Sequence, residues 1–223
     1  MAGRIAAFFD LDNTLVDSNT GRLYVNYLRK HVPHELRLRD ALRTLTWLFE
    51  YKLHLIDQYE VTERALTLLK GMNEGEMSRR CQHWFDTMVA QKLFPVWNGK
   101  IAEHRARGHL TSILTASTRY AAIPVARHLG IDEALFTALE VRDGIFTGAT
   151  EGPPCHGPGK VYWAKKLADE KGIDLAQSYF YTDSIHDIEM LEVVAHPICV
   201  NPDRKLARVA RDRGWEILKL SRR

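Results

Sequence analysis

Apolar residues recur along this chain in two rhythms, and the places where each rhythm breaks mark out the elements. Ile5, Ala6, Ala7, Phe8 and Phe9 form an unbroken apolar run that ends in Asp10, Leu11, Asp12, Asn13 and Thr14. A short run of this kind reads as a strand buried on both faces, its carboxylates emerging where the strand stops. Beyond Thr14 the period lengthens. Leu23, Tyr24, Tyr27 and Leu28 share one helical face, and Leu38, Leu42, Leu45 and Phe49 share a second. Val61, Ala65, Leu68 and Leu69 make a third, stopped at Gly71; Met77, Cys81, Trp84 and Met88 make a fourth, ending before Pro95. Residues 18–94 therefore read as an all-helical insertion without a strand. Their apolar stripes are core packing, and His54 and His83 receive no ligand role.

From Phe94 onward the two rhythms alternate. The pattern predicts a helix over 101–107 ending at Gly108, a buried strand over 110–115, and a helix over 120–129 closed by Gly130. Pro124 is expected in the first turn of that helix, where a missing N–H costs nothing. Residues 138–147 alternate around Asp143-Gly144, as a β-hairpin does. A Gly/Pro loop over 152–159 leads to Lys160 and a helix reaching about residue 170. A strand over 178–181 leads to Asp183, with a helix from about His186. Strands over 197–200 and 215–219 flank a helix over 205–211. Strands alternating with helices imply an α/β fold, a parallel sheet with helices on both faces. In such sheets ligands bind beyond the carboxyl ends of the strands. Asp10, Thr115 and Asp183 each fall at such an end.

Composition narrows the function classes. A chain of 223 residues suffices for one large domain, or for a core domain with an insertion. The net charge of +3 is mildly basic, helpful to an anionic substrate and too slight to argue for nucleic acid. Cys81, Cys155 and Cys199 are odd in number and far apart, which speaks against a disulfide framework and for a reducing, cytoplasmic setting. No apolar run is long enough to span a bilayer, and the residues before the first strand leave no room for a secretory signal. Nothing in the pattern specifies an oligomeric state.

Four polar motifs remain to be assigned: Asp10-Leu-Asp12-Asn-Thr14, Thr115, Lys160 in Pro-Gly-Lys-Val, and Asp183-Ser-Ile-His-Asp187. Singly, Thr115 reads as a strand-end threonine, Lys160 as a helix-start lysine, and Asp183 and Asp187 as helix caps. Together, at successive strand ends, they describe one site. Carboxylates from two strand ends suit a hard divalent cation, and a lysine with a threonine suits phosphoryl oxygens. A nucleotide-binding P-loop at Lys160 fails, because Pro154 stands where glycine is required and Val161 where serine or threonine is. Cys155 and His156, adjacent and without further partners, make a poor zinc site and read as a rim loop.

These motifs, in this order on this frame, resemble the haloacid dehalogenase (HAD) superfamily, over essentially the whole chain. The resemblance implies a Rossmann-like core from residues 1–17 and 95–223, with 18–94 as a helical cap inserted after the first strand. It implies a Mg²⁺-dependent phosphatase acting on a small-molecule phosphate ester. Asp10 would be the nucleophile, forming an aspartyl phosphate, and Asp12 the proton donor and then the base. Thr115 and Lys160 would bind phosphoryl oxygens. Asp10, Asp183 and the Asp12 carbonyl would ligate the metal, with Asp187 and Thr14 behind them. Thr118 and Arg119 are expected as rim contacts to substrate. Asp12 sets the chain apart from dehalogenases, whose motif lacks that second carboxylate.

Within the superfamily the cap position is similar to subfamily IB, the phosphoserine-phosphatase-like group. Phosphoserine phosphatases carry glutamate nine residues after the nucleophile, where this chain has Asn19, and Ser-Gly-Gly where it has Thr115-Ala-Ser. The segments Thr115-Ala-Ser-Thr-Arg-Tyr and Pro154-Cys-His-Gly-Pro-Gly-Lys look more like a bacterial branch that includes histidinol-phosphate phosphatases. The resemblance thus ranks histidinol phosphate first, phosphoserine second and a lipid phosphate third. A phosphotransferase, or a non-catalytic regulatory protein on the same fold, would be the alternative class.

Overall fold

The computed structural model describes residues 3–32 and 67–221. The expected apolar positions Leu38, Leu42, Leu45, Phe49, Val61 and Ala65, and His54, lie outside those residues. Six strands form one sheet in the order β3-β2-β1-β6-β7-β8, every neighbouring pair parallel. They are β1 (Ala6–Phe9), β2 (Leu110–Thr118), β3 (Glu133–Thr137), β6 (Tyr179–Thr182), β7 (His196–Val200) and β8 (Glu216–Leu218). A hairpin of β4 (Leu139–Arg142) and β5 (Ile145–Thr150) stands apart from it. Asp143 and Gly144 both have positive φ there, 51° and 75°, as the tight turn predicted at this dipeptide requires.

β1 is the central strand, and its four residues are fully buried. Ala7 and Phe9 face one apolar cluster, Ala6 and Phe8 the other, which explains the unbroken apolar run in the sequence. On the first face lie α3 (Val96–Ala106) and α4 (Arg119–Leu129), through Trp97, Ile101, Ala122 and Val125. On the second lie α5 (Pro158–Lys171), α6 (Ile188–Val193) and α7 (Arg204–Arg213), through Ala164, Leu167, Met190, Leu191 and Leu206.

The described part of the helical insertion comprises α1 (Thr20–His31) and α2 (Glu74–Trp84). It contains no named strand. The expected fourth stripe buries Met77, Cys81 and Trp84 in the first cluster, beside Leu23 and Tyr27 of α1. The helix does not run straight to Pro95: a π-helical turn (Phe85–Val89) and a 3-10 turn (Ala90–Lys92) follow it. His83 bonds through Nδ1 to the Tyr27 hydroxyl at 2.8 Å, a packing role. No described helix is long and apolar enough to cross a membrane.

Three expectations are corrected. β3 was absent from the sequence reading; it is a half-buried edge strand whose Glu-Ala-Leu-Phe-Thr lacks alternation. β2 continues past Thr115 to Thr118, because an irregularity in its pairing with β3 lets the strand resume after the polar residues. Pro124 lies inside α4 rather than in its first turn, since that helix already begins at Arg119.

Candidate active site

β1, with β2 on one side and β6 on the other, is the point where the strand order diverges, so a crevice opens above its carboxyl end. The ladder holds right up to that end: Asp10 N–H donates to the Tyr181 carbonyl at 2.8 Å. Beneath it Phe9 stacks on Tyr181 with ring centres 4.7 Å apart, and Trp97 meets both rings edge-on. This rigid floor fixes where the residues after Phe9 and Tyr181 leave the sheet.

Asp10, Asp12, Thr115, Lys160, Asp183 and Asp187, dispersed in sequence, line one cavity of about 150 Å³. Lys160 Nζ lies 2.6 Å from Asp10 Oδ1 and 2.7 Å from Asp187 Oδ2, and all three residues are buried. Asp187 Oδ2 also accepts from the Thr182 hydroxyl at 2.5 Å. One ammonium is therefore held between two carboxylates, with Asp183 close by. Burial disfavours the Lys160 cation, but Asp10 and Asp187 outweigh it and hold its pKa above the usual lysine range. Burial pushes Asp10 up to about 8 against the pull of Lys160, with Asp187 and Asp183 adding to the rise. Asp183 is pushed up to about 7, first by burial and then by Asp187.

Asp12 is held differently. Its carboxylate accepts from the backbone N–H of Thr20 at 2.7 Å and from the Asn19 amide at 3.1 Å. Asn19 is the N-cap of α1, its Oδ1 accepting from Arg22 N–H. The start of the helical insertion thus grips the second carboxylate. Burial raises the Asp12 pKa, outweighing the hydrogen bonds from Thr20. Asn13 allows this turn by taking a left-handed φ of 53°, which asparagine tolerates, and its side chain bonds Asp183.

Thr115 is almost fully buried, and its hydroxyl oxygen accepts from Ser117 N–H at 3.1 Å, leaving its proton free to point elsewhere. Lys160 is delivered by a tight loop. Gly157 has φ 49° and ψ −122°, and a Cβ on Gly159 would sit 1.9 Å from the Pro154 carbonyl oxygen. Those two glycines let the chain double back as it enters α5.

Thr118 and Arg119, expected at the rim, lie off the cavity, and Thr14, expected behind the ligands, does not line it. Thr14 is buried beside it, its carbonyl accepting from Trp97 Nε1 at 2.8 Å. Thr118 takes the N-cap position of α4 without a side-chain bond, and Arg119 points to Glu74, Nη1 to Oε1 3.5 Å. Arg119 lines a separate groove with Tyr162 and Trp163. Asn13, Asn19, Ser184, His156 and His186 line the cavity without having been assigned to it. Asn13 lies within the first motif and Ser184 and His186 within the fourth, Asn19 at a position where a resemblance could be compared, and His156 in the rim loop.

Among the described residues no three metal-ligating side chains converge into a ready-made cage. The donors present, two strand-end carboxylates and the Asp12 carbonyl, are oxygens. Mg²⁺ is held by such sparse sets, completed by water and substrate oxygens. Burial first, and neighbouring carboxylates after it, disfavour the charged forms of Asp10 and Asp183, and a divalent cation would offset both effects.

The chain matches the model of the haloacid dehalogenase-like hydrolases over residues 7–192. It is 33% identical over 216 residues to a phosphoserine phosphatase of Mycobacterium tuberculosis, covering 95% of this chain and 70% of that protein. It is 27% identical over 220 residues to a histidinol-phosphatase of Neisseria meningitidis, covering 95% and 97% respectively. A crystal structure of a protein of unknown function from Bordetella pertussis superposes with a TM-score of 0.88 at 28% identity, covering 97% of this chain and 99% of that one. The strand order, the site at the end of the central strand and these matches agree: the chain belongs to the haloacid dehalogenase-like hydrolase family and is an enzyme of its phosphatase type.

Proposed function

We propose that this enzyme hydrolyses a small-molecule phosphate ester through an aspartyl phosphate on Asp10, with Mg²⁺ held by Asp10, Asp183 and the Asp12 carbonyl. The observation that carries the reading is the buried Lys160 ammonium between Asp10 and Asp187, in one cavity with Asp12, Thr115 and Asp183. When bound, the cation offsets the repulsion between carboxylates and phosphoryl oxygens and keeps Asp10 ionised.

An Asp10 carboxylate oxygen attacks phosphorus, and the bond from phosphorus to the ester oxygen breaks. Charge on the phosphoryl oxygens is met by Lys160 and by the Thr115 hydroxyl. Asp12, whose burial favours the protonated form, gives its proton to the leaving oxygen. It then takes a proton from the water that attacks the aspartyl phosphate, releasing inorganic phosphate and restoring Asp10. Asp187 orients Lys160. Residues 18–94 act as a cap over this chemistry, and the enzyme works in the cytoplasm, where its three buried cysteines stay free thiols.

Histidinol phosphate is the first substrate choice. The match to the Neisseria histidinol-phosphatase extends over nearly the full length of both chains. Phosphoserine is second. The higher identity to the Mycobacterium protein favours it, whereas Asn19 replaces the expected glutamate and its amide is engaged with Asp12. The test is phosphate release from histidinol phosphate, phosphoserine and phosphatidylglycerophosphate, with Mg²⁺ and with chelator, beside Asp10→Asn. Metal-dependent turnover lost in Asp10→Asn supports the chemistry, and the preferred ester identifies the substrate. Folded wild type that releases phosphate neither from any of them nor from an aryl phosphate overturns the proposal.

A further inference from the structure

Thr137 ends the edge strand β3 and is only 1% exposed, yet it belongs to none of the four motifs. Its hydroxyl uses both of its capacities. It donates to the Ala116 carbonyl at 2.8 Å and accepts from the Cys155 N–H at 3.0 Å. Ala116 follows Thr115 and lines the catalytic cavity; Cys155 lies in the tight loop that delivers Lys160. One side chain thus ties the phosphoryl-binding end of β2 to the loop of the phosphoryl-binding lysine.

The pairing of β2 with β3 shows why a tie is needed there. Leu114 pairs with Leu135, and the next pair is Thr118 with Thr137, so β2 spends more residues than β3 between the two. A bulge of this kind aims side chains out of the ladder and leaves its own backbone groups without ladder partners. The Ala116 carbonyl is one such group, and the Thr137 hydroxyl supplies its partner. The two loops are therefore joined through the Thr137 hydroxyl, which substitution can remove cleanly.

We propose that Thr137 is a positioning residue of the phosphatase site, setting Thr115 and Lys160 at the spacing that grips the transferring phosphoryl group. This rests on the phosphatase reading above. Thr137 touches no reacting atom. Without its hydroxyl the Ala116 carbonyl and Cys155 N–H lose their partner in a buried place, and the two loops are freed to separate. Small displacements of oxygen-binding groups cost catalysis heavily.

The test compares wild type with Thr137→Val, which keeps the shape without the hydroxyl, Thr137→Ser, which keeps the hydroxyl, and Thr137→Ala in case the valine variant does not fold. Steady-state kinetics with Mg²⁺, melting temperature, and binding of inorganic phosphate by calorimetry are measured for each. The expected result is a fall in kcat of about tenfold to a hundredfold for Thr137→Val. Inorganic phosphate binding should weaken in parallel, and Thr137→Ser should return both to within a few-fold of wild type. A lower melting temperature with unchanged kcat, KM and phosphate binding would reduce Thr137 to a packing role and overturn the inference. Failure of Thr137→Ser to recover what Thr137→Val lost would overturn it too. The wild-type row separates the two claims: inactivity with intact phosphate binding defeats the phosphatase reading, and the variants' phosphate affinities still decide on Thr137. Wild type that neither turns over esters nor binds phosphate defeats both.

Discussion

Replacing Lys160 by methionine tests the charge balance of the site directly. The change keeps the length of the side chain and removes one buried ammonium from between Asp10 and Asp187. Keeping a carboxylate neutral costs about 1.4 kcal/mol for each pH unit above its ordinary pKa of about 3.9. That ceiling is roughly 6 kcal/mol at pH 8 and roughly 8 kcal/mol at pH 10. The Thr182 hydroxyl still serves Asp187, so the loss at pH 8 should fall near the 3–5 kcal/mol typical of a buried pair with one partner removed, roughly 10 °C in melting temperature. The sign follows from linkage. Removing the cation raises the folded-state pKa of Asp10 further above the value of about 8 that it has beside Lys160, and stability carried by a raised acid is present below its unfolded pKa and lost as pH rises through the folded one. The deficit of Lys160→Met against wild type must therefore grow as pH rises from about 8, where wild-type Asp10 ionises, toward pH 10. Thermal or urea unfolding in chelator-containing buffer at several pH values measures it. A deficit that is the same at both ends of the range, or that shrinks with pH, would refute the reasoning.

Other consequences can be checked in the same way. Burial, with help from His109, Arg107, Lys100 and His196, pushes His104 down to about 4, so its neutral form stabilises the fold above pH 6.5 and that stability is lost as pH falls toward 4. His104→Asn should remove about 3 kcal/mol of this acid-side slope, read as the wild-type-minus-variant difference in unfolding free energy; a pH-independent difference would contradict it. Gly159→Ala forces a Cβ onto the Pro154 carbonyl, and should lose phosphate release more than tenfold with about 1–3 kcal/mol of stability. Full activity in that variant would show that the loop yields. Asn19→Ala removes the α1 cap at about 1 kcal/mol and takes one donor from Asp12. Its kcat should fall more than its KM rises, and an unchanged kcat would show that Thr20 N–H alone suffices to hold Asp12.

What could be read in advance was what one-dimensional order carries. The run from Ile5 to Phe9 announced a strand buried on both faces, and the strand-end placement of Asp10, Thr115 and Asp183 announced one cavity. Lys160 was legible because a glycine-rich loop and a helix start put it at the same end of the sheet. The rest depends on contacts between distant segments. β3 lies at an edge, where half-burial blurs alternation. Thr182 and Asn19 acquire meaning only through the carboxylates that they touch. Thr118 and Arg119 follow the second motif closely in sequence, but the start of α4 carries Arg119 toward Glu74 and away from the cavity.

The position of β1 also constrains the order of events as the chain is made. Its partners are β2 and β6, and Ala6 bonds the side chain of Ser178, 172 positions later. The strand that carries Asp10 is therefore synthesised early and completed late, with one edge unpaired until β6 has emerged from the ribosome. During that interval it is a short apolar segment with exposed backbone donors and acceptors, the kind that pairs with the wrong neighbour. Its brevity, four residues followed at once by two carboxylates, limits that hazard. The charges that make the segment chemically useful in the finished enzyme also guard it while it waits for its last partner.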